Sequence, residues 1–290
     1  MNRLTLIATA LAMAALPAMA APPEIRWARS WDEALKEAKD RNVPIHVAVH
    51  KDDSPDCATM AGSVFTSKEF IVASKNWVNV YCNRDTAHGV AKVEGKDVCK
   101  LFPAMGCADH VACEKAVSAQ FFKGAIAAPG IVWCDADGKE IGQFQGAMTA
   151  KALLEKMAAA VKKVGPGLAL DDWLAAIGHL ADGDKAVTDN LFTAAILAYS
   201  AVLKISKVPG AKTVVARAQA GLDRVNEQGM LQFQHAQEKV AAKDVKGARE
   251  ELTKISATFK GLPAAKEADK ALAKIEEDEK NKRMGDGNRR

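Results

Sequence analysis

The residues best suited to chemistry cluster at Ser54-Pro55-Asp56-Cys57. The run 43–50 ahead of them is β-branched and apolar, which predicts a strand with Pro44 confined to its start. Ser54 is a good N-cap and Pro55 a good first helical residue, so a helix is predicted to open there. Cys57, in the first turn, is the one sulfur of the run and a candidate nucleophile, which acts as the thiolate. Asp52, Asp53 and Asp56 oppose this, since nearby carboxylates disfavour a thiolate. His50 stands four residues before Ser54 and suggests a serine hydrolase base. That chemistry also needs an orienting acid, for which Asp52 or Asp53 can be proposed, and an oxyanion hole, for which no segment is a candidate.

All six cysteines, Cys57, Cys82, Cys99, Cys107, Cys113 and Cys134, lie in the first half of the chain. An even count in an exported protein points to disulfides, with 15 pairings open if all six are bonded. Cys82–Cys99 and Cys107–Cys113 are the pairs expected here, stapling an insertion with little core of its own. Cys57 itself reads either as a working thiol or as a buried structural one. Cys107, His110 and Cys113 fall at three-residue steps, with Cys99 and His88 nearby, so a zinc or copper site is the alternative reading of the insertion. No cofactor is called for.

The first residues read as a cleaved leader. Arg3 supplies a positive start, residues 4–16 are apolar, and Ala18-Met19-Ala20 is a cleavage site, placing the cut after Ala20 and the protein in the periplasm or outside the cell. The apolar run falls short of the roughly 20 residues that span a bilayer, and no later segment is long and apolar enough, so no membrane span is expected. The formal net charge is +4, with acidic and basic residues interleaved, which excludes a nucleic-acid patch. The expected partners are proteins.

Turn and cap signals then lay out the elements that must position these residues. Ser30 and Glu33 form a capping box for a helix over 31–40, and Thr66 with Glu69 forms another. Strands are predicted at 77–82, 130–134 and 140–145, the last two joined by an Asp135-Ala136-Asp137-Gly138 turn. Residues 83–125 read as an irregular, cysteine-rich insertion. A helix over 149–164 ends at Gly165-Pro166-Gly167, the predicted domain boundary. Beyond it the periodicity is helical only. Leu191, Ala194, Ala195, Ala198, Tyr199, Val202 and Leu203 share one face, and Val245, Ala248, Leu252, Ile255 and Phe259 another. Breaks at Pro209-Gly210, Lys243-Asp244 and Gly261-Leu262-Pro263 separate antiparallel helices. The predicted organisation is a leader at 1–20, an α/β domain at 21–164, a helical domain at 168–280 and a frayed basic tail at 281–290.

The order helix, strand, Ser54-Pro55-Asp56-Cys57 helix, strand, insertion, Ala128-Pro129, hairpin, helix resembles the thioredoxin-like family over residues 26–164. Val64-Phe65-Thr66-Ser67-Lys68-Glu69-Phe70 resembles a run of its exported subfamilies. Ala127-Ala128-Pro129-Gly130 resembles its cis-proline segment, and Gly146 the glycine before its last helix. The resemblance implies a mixed sheet flanked by helices, with Pro129 shaping a peptide groove. It also implies that Ser54 stands where the family has its attacking cysteine, and Cys57 where it has the resolving one. Ala48 replaces the family's buried acid, and Asp53 the aromatic residue before the motif. At most, then, a divergent thiol–disulfide oxidoreductase is implied, working through Cys57 as a monothiol. Cys82 is the expected remote resolving thiol, because its strand runs parallel to 43–50 and ends at the same edge. Cys134 lies five residues past Pro129, about 16 Å along a strand. A redox-inactive protein-binding module and a metal-binding protein are the alternatives. Asp244 to Arg249 and Phe259 to Ala264 resemble the punctuation of tetratricopeptide-type hairpins, with a plain bundle equally open.

Overall fold

The computed structural model describes residues 24–85, 90–93, 95–99, 105–122 and 127–287. The expected leader and His88 lie outside these residues. Helix α1 (Trp31–Arg41) starts where the sequence places it, with the Ser30 hydroxyl accepting from the Glu33 amide at 3.0 Å. Asn42 closes it in the left-handed region, φ 53°, a conformation asparagine tolerates better than most residues.

Strands β1 (Trp27–Ala28), β2 (Ile45–His50), β3 (Val78–Asn83), β6 (Gly130–Cys134) and β7 (Glu140–Gln145) form one sheet, ordered β1-β3-β2-β6-β7. The first three are mutually parallel, and β6 and β7 turn antiparallel. Side chains alternate across such a sheet, and two cores result. His46, Ala48, Tyr81, Ile131 and Trp133 face one side, and Ile45, Val47, Val49, Val80, Cys82 and Val132 the other. The first side is covered by α2 (Pro55–Thr59) with its π-helical continuation Met60–Val64, by α3 (Lys68–Ser74) and by α5 (Ala150–Val164), through Met60, Val64, Phe70, Leu153 and Met157. The second is covered by α1 and by α4 (Cys107–Val117), through Ala34, Ala38, Cys113 and Val117.

Two local expectations need correction. Helix α3 is capped by Ser67, whose hydroxyl accepts from the Phe70 amide at 3.3 Å, while the Thr66 hydroxyl donates back to the Gly62 carbonyl at 2.7 Å. Residues 83–125 are not irregular throughout. They hold a hairpin of β4 (Val90–Val93) and β5 (Lys96–Cys99), and then α4. The hairpin carries only four-residue strands and α4 has almost no amphipathic contrast, which hid both from periodicity.

The C-terminal region is helical: α6 (Leu170–Thr188), α7 (Phe192–Leu203), α8 (Lys212–Ala241), α9 (Val245–Thr258) and α10 (Pro263–Gly287). Each packs on the next, and α8 also on α6 and α10. Its core takes Phe192, Ala195, Tyr199 and Val202 from α7, whereas Leu191, expected on that face, is exposed. Helix α10 runs through Gly287, so residues 281–287 are helical where a frayed tail was expected.

Arg41 joins the two regions. It is fully buried. Its Nη1 donates to Glu37 Oε1 at 2.6 Å and to the Trp77 carbonyl at 3.2 Å, its Nη2 donates to the Lys75 carbonyl, and its Nε to the Leu168 carbonyl at 3.0 Å. Its own carbonyl accepts from the Leu168 amide at 2.7 Å. That approach leaves no room for side chains opposite. A Cβ on Gly167 would lie 2.7 Å from the Arg41 carbonyl oxygen, and one on Gly210 would lie 2.3 Å from it. Arg41→Leu is expected to cost about 3–5 kcal/mol, because Glu37 and three carbonyls lose a buried cation. Urea unfolding followed by tryptophan fluorescence checks this, with Arg41→Lys expected to recover only part of the loss, since lysine lacks the planar fork.

Candidate functional site

The C-terminal ends of β2 and β3 meet the start of β6 at one edge of the sheet. His50 pairs with Asn83, and Val49 pairs with Gly130, which sets Pro129 level with His50. The Ala128–Pro129 peptide is cis, and the Pro129 carbonyl accepts from the Gly146 amide at 2.8 Å. The loop from β2 to α2 is tied to β3. The Asn83 side-chain amide donates to Asp52 Oδ1 at 2.9 Å, and the Asp52 amide donates to Asp85 Oδ2 at 2.6 Å. Asp53 takes a left-handed φ of 55° and turns the chain into Ser54.

Ser54 caps α2. Its hydroxyl accepts from the Cys57 amide at 3.3 Å, which commits the oxygen to a structural role. Cys57 points inward and is fully buried, while Asp56 is exposed. Below the loop lies Tyr81, a residue that motif reading passed over. It pairs with Ala48 across the β2–β3 ladder. The small Ala48 side chain thus sits beside a buried phenol. Burial, with Cys99, Asp52 and Cys57 around the ring, pushes the Tyr81 hydroxyl up and keeps it neutral. The rings of His50 and His110 lie 5.3 Å and 5.6 Å from that of Tyr81. A small residue opposite a large one on adjacent strands was the available sequence signal.

The other predicted thiols separate by strand parity. Cys82 follows Tyr81, so it faces the opposite core, whereas Cys57 acts on Tyr81 from the other side of the sheet. The expectation that Cys82 resolves Cys57 is therefore corrected, and the thiol on the Tyr81 side is Cys99. The expected pairs Cys82–Cys99 and Cys107–Cys113 are corrected on the same ground. Cys82 and Cys113 share one core, while Cys99 and Cys107 pack in the other. Six residues on a helix turn a side chain through about 600°, which leaves Cys107 and Cys113 roughly 120° apart around α4. Cys107, His110 and Cys113 consequently do not converge, and among the described residues no group of His, Cys, Asp or Glu is placed to hold a metal. Burial raises the Cys82 and Cys113 thiols, Cys113 to about 11. Cys134 pairs with Ile45, at the far end of β2 from His50. A cleft of about 740 Å³ between α3 and α5, lined by Val72, Trp77, Leu154 and Met157, also opens away from the thiol edge.

Residues 31–161, just under half of the chain, match the profile of the thioredoxin-like domain family. The mixed sheet flanked by helices gives this segment a thioredoxin-like fold. One similar solved structure, described as "DsbH Oxidoreductase", is 21% identical over 53% of this chain and 95% of its own, with a TM-score of 0.34. The solution structure of a thioredoxin from Thermus thermophilus is 16% identical over 49% of this chain and 91% of its own, with a TM-score of 0.33. Comparison with curated proteins gives no match. Among the described residues no helix is long and apolar enough to cross a membrane.

Two histidines share the Tyr81 face of β2 and give it a pH signature. His46 is fully buried, edge-on to Phe65, Phe70 and Trp77 at 5.9, 5.6 and 6.4 Å, and neither ring nitrogen has a hydrogen-bond partner among the described residues. Burial, and secondarily His50, lowers its pKa to about 3, and burial lowers that of His50 to about 4. Both stay neutral in the fold while the unfolded chain takes up protons below its ordinary value of 6.5. Stability is therefore complete above pH 6.5 and falls as pH drops toward 4, by up to about 1.4 kcal/mol per pH unit for each site. His46→Leu is expected to flatten that slope by one site, read from urea midpoints between pH 7 and pH 4.

Proposed function

We propose that this chain is an exported thioredoxin-like protein with single-thiol chemistry at Cys57, acting on or binding other proteins. One observation carries the reading. The only sulfur of the motif sits at the first turn of α2, at the sheet edge that Pro129 flanks, with its amide held by Ser54. A thiol there can exchange with a disulfide brought against Pro129. Its full burial requires the β2–α2 loop to yield before a substrate sulfur reaches it, so exchange is slow compared with an exposed thiolate. Ser54 contributes a cap rather than a nucleophile, which disfavours hydrolysis. The helical domain offers a second surface for protein contacts, and the leader read from residues 1–20 supports export.

A second reading, a redox-silent binding module, is favoured by the same burial. The two part on Ser54→Cys. That substitution restores two thiols at the ends of the motif and is expected to raise insulin reduction in the presence of dithiothreitol at least tenfold over the unaltered protein. Cys57→Ala in that background is expected to remove the gain. If Ser54→Cys gains nothing and Cys57 in the unaltered folded protein forms no mixed disulfide with oxidised glutathione, the binding-module reading stands instead.

A further inference from the structure

The insertion brings two further thiols to the same sheet edge. The Cys99 amide donates to the Met105 carbonyl at 3.0 Å, and Val98 bridges Gly106 in antiparallel register. This folds the chain back so that Cys107, the next residue, opens α4 beside the end of β5. Both side chains pack into the core that holds Tyr81. Their exposures differ in a telling way. Cys99 is fully buried, whereas Cys107 is partly exposed, the only cysteine in the chain that is. An exchange pair needs one sulfur that a substrate can reach and a second, sheltered sulfur that reaches only the first.

We infer that Cys107 and Cys99 form a dithiol exchange pair for accessible disulfides, with Cys107 attacking and Cys99 resolving. This goes beyond the Cys57 reading and stands whether or not Cys57 reacts. Cys107 gives up its proton to water, and its Sγ attacks one sulfur of a substrate disulfide. The Cys107–substrate disulfide forms, and the other substrate sulfur leaves and takes a proton. Cys99 Sγ then attacks Cys107 Sγ, its proton passing to the departing sulfur. A Cys99–Cys107 disulfide forms and the second substrate thiol is released. The substrate gains two electrons and the pair loses two. An external dithiol of the dithiothreitol class returns the pair to its reduced state.

The neighbourhood fits this order of events. Burial, then Cys99 and Asp97, raises the Cys107 thiol, so the pair attacks slowly but holds a disulfide firmly once it has formed. Tyr81 is within electrostatic reach of both Cys99 and Cys57, and Asp52 of both Tyr81 and Cys107, so the two thiol sites border the same end of β3.

The test uses the full reduced chain with two probes, oxidised glutathione and insulin. Remaining thiols are alkylated, and peptides are mapped without reduction. The unaltered protein is expected to yield a Cys99–Cys107 cross-linked peptide with no retained glutathione, and Cys99→Ser is expected to trap glutathione on Cys107. Circular dichroism verifies that the variant is folded, and Cys99→Ala serves if it is not. Reaction with glutathione alone narrows the substrates to small disulfides, and reaction with insulin extends them to proteins; either upholds the pair. Glutathione retained on Cys57 while Cys99 and Cys107 remain alkylatable overturns this inference and supports the Cys57 reading. Neither an adduct nor a cross-link on any cysteine of the folded protein, in the unaltered chain or in Cys99→Ser, overturns both.

Discussion

The guanidinium of Arg41 is wholly withdrawn from solvent, and the rest of the molecule is arranged around satisfying it. A buried cation is tolerated only when paired and hydrogen-bonded. Here the partners come from three places: Glu37 one turn back in α1, the carbonyls of Lys75 and Trp77 where the chain enters β3, and the Leu168 carbonyl at the start of the helical domain. Glu37 is shared with Arg26, whose guanidinium lies 5.4 Å from the Trp173 ring of α6. Outside this cluster, Lys75 pairs with Asp171 at 2.7 Å and Arg217 with Asp40 at 3.6 Å, pairs exposed enough to add little. The two regions are therefore joined by the Arg41 Nε bond to the Leu168 carbonyl and by the Leu168 and Leu170 amides donating to the Arg41 and Lys75 carbonyls, in a place where glycine at 167 and 210 leaves room for the chains to meet.

This clasp lies at the N-terminal ends of β2 and β3, and the thiol edge lies at their C-terminal ends. Fixing the sheet at one end leaves the other to be shaped by its own residues. There Ser54 caps α2 and leaves Cys57 as the one sulfur of the run, and the small Ala48 stands opposite Tyr81 on the neighbouring strand. The insertion exploits a vacancy. Strand β1 pairs only with Asn79 and Val80, so the Tyr81–Asn83 stretch has no strand neighbour on that side among the described residues, and α4 packs against β3 instead. A helix covering an open strand edge satisfies the usual demand that such edges be blunted.

Much of this was legible from local chemistry. Ser30 and Ser54 cap their helices as read, because orphan amides at helix starts must find acceptors and few residue types supply them; Thr149 and Asp244, read only as a helix start and part of a break, do the same. The strands of the main sheet were legible because their runs are β-branched and bounded by turn residues. Ser67 was missed because Thr66 with Glu69 matches the capping-box pattern, whereas Ser67 caps with Phe70 at the third position and shows no box. The exposure of Leu191 reflects the same limit, since periodicity names a helical face but not where the helix begins. The insertion failed for another reason: β4 and β5 are stabilised by each other and by α4 rather than by their own composition.

The assignment of thiols shows most clearly what a sequence holds back. Placing Cys82 at the right end of the right strand was sound, yet its face was decided by a parity of one. Tyr81 and Cys82 are adjacent in sequence and lie in different cores. Reach along a strand can be counted from the sequence, whereas the side of the sheet depends on the register with β2, fixed by His50 opposite Asn83. Once that register is known, the cysteines sort themselves. Cys82 and Cys113 become packing on the α1 side. Cys57, Cys99 and Cys107 gather on the side of Tyr81, where a partly exposed sulfur stands beside buried ones. Exchange chemistry requires that contrast in access more than it requires any particular motif spacing, so a serine at position 54 need not silence this edge.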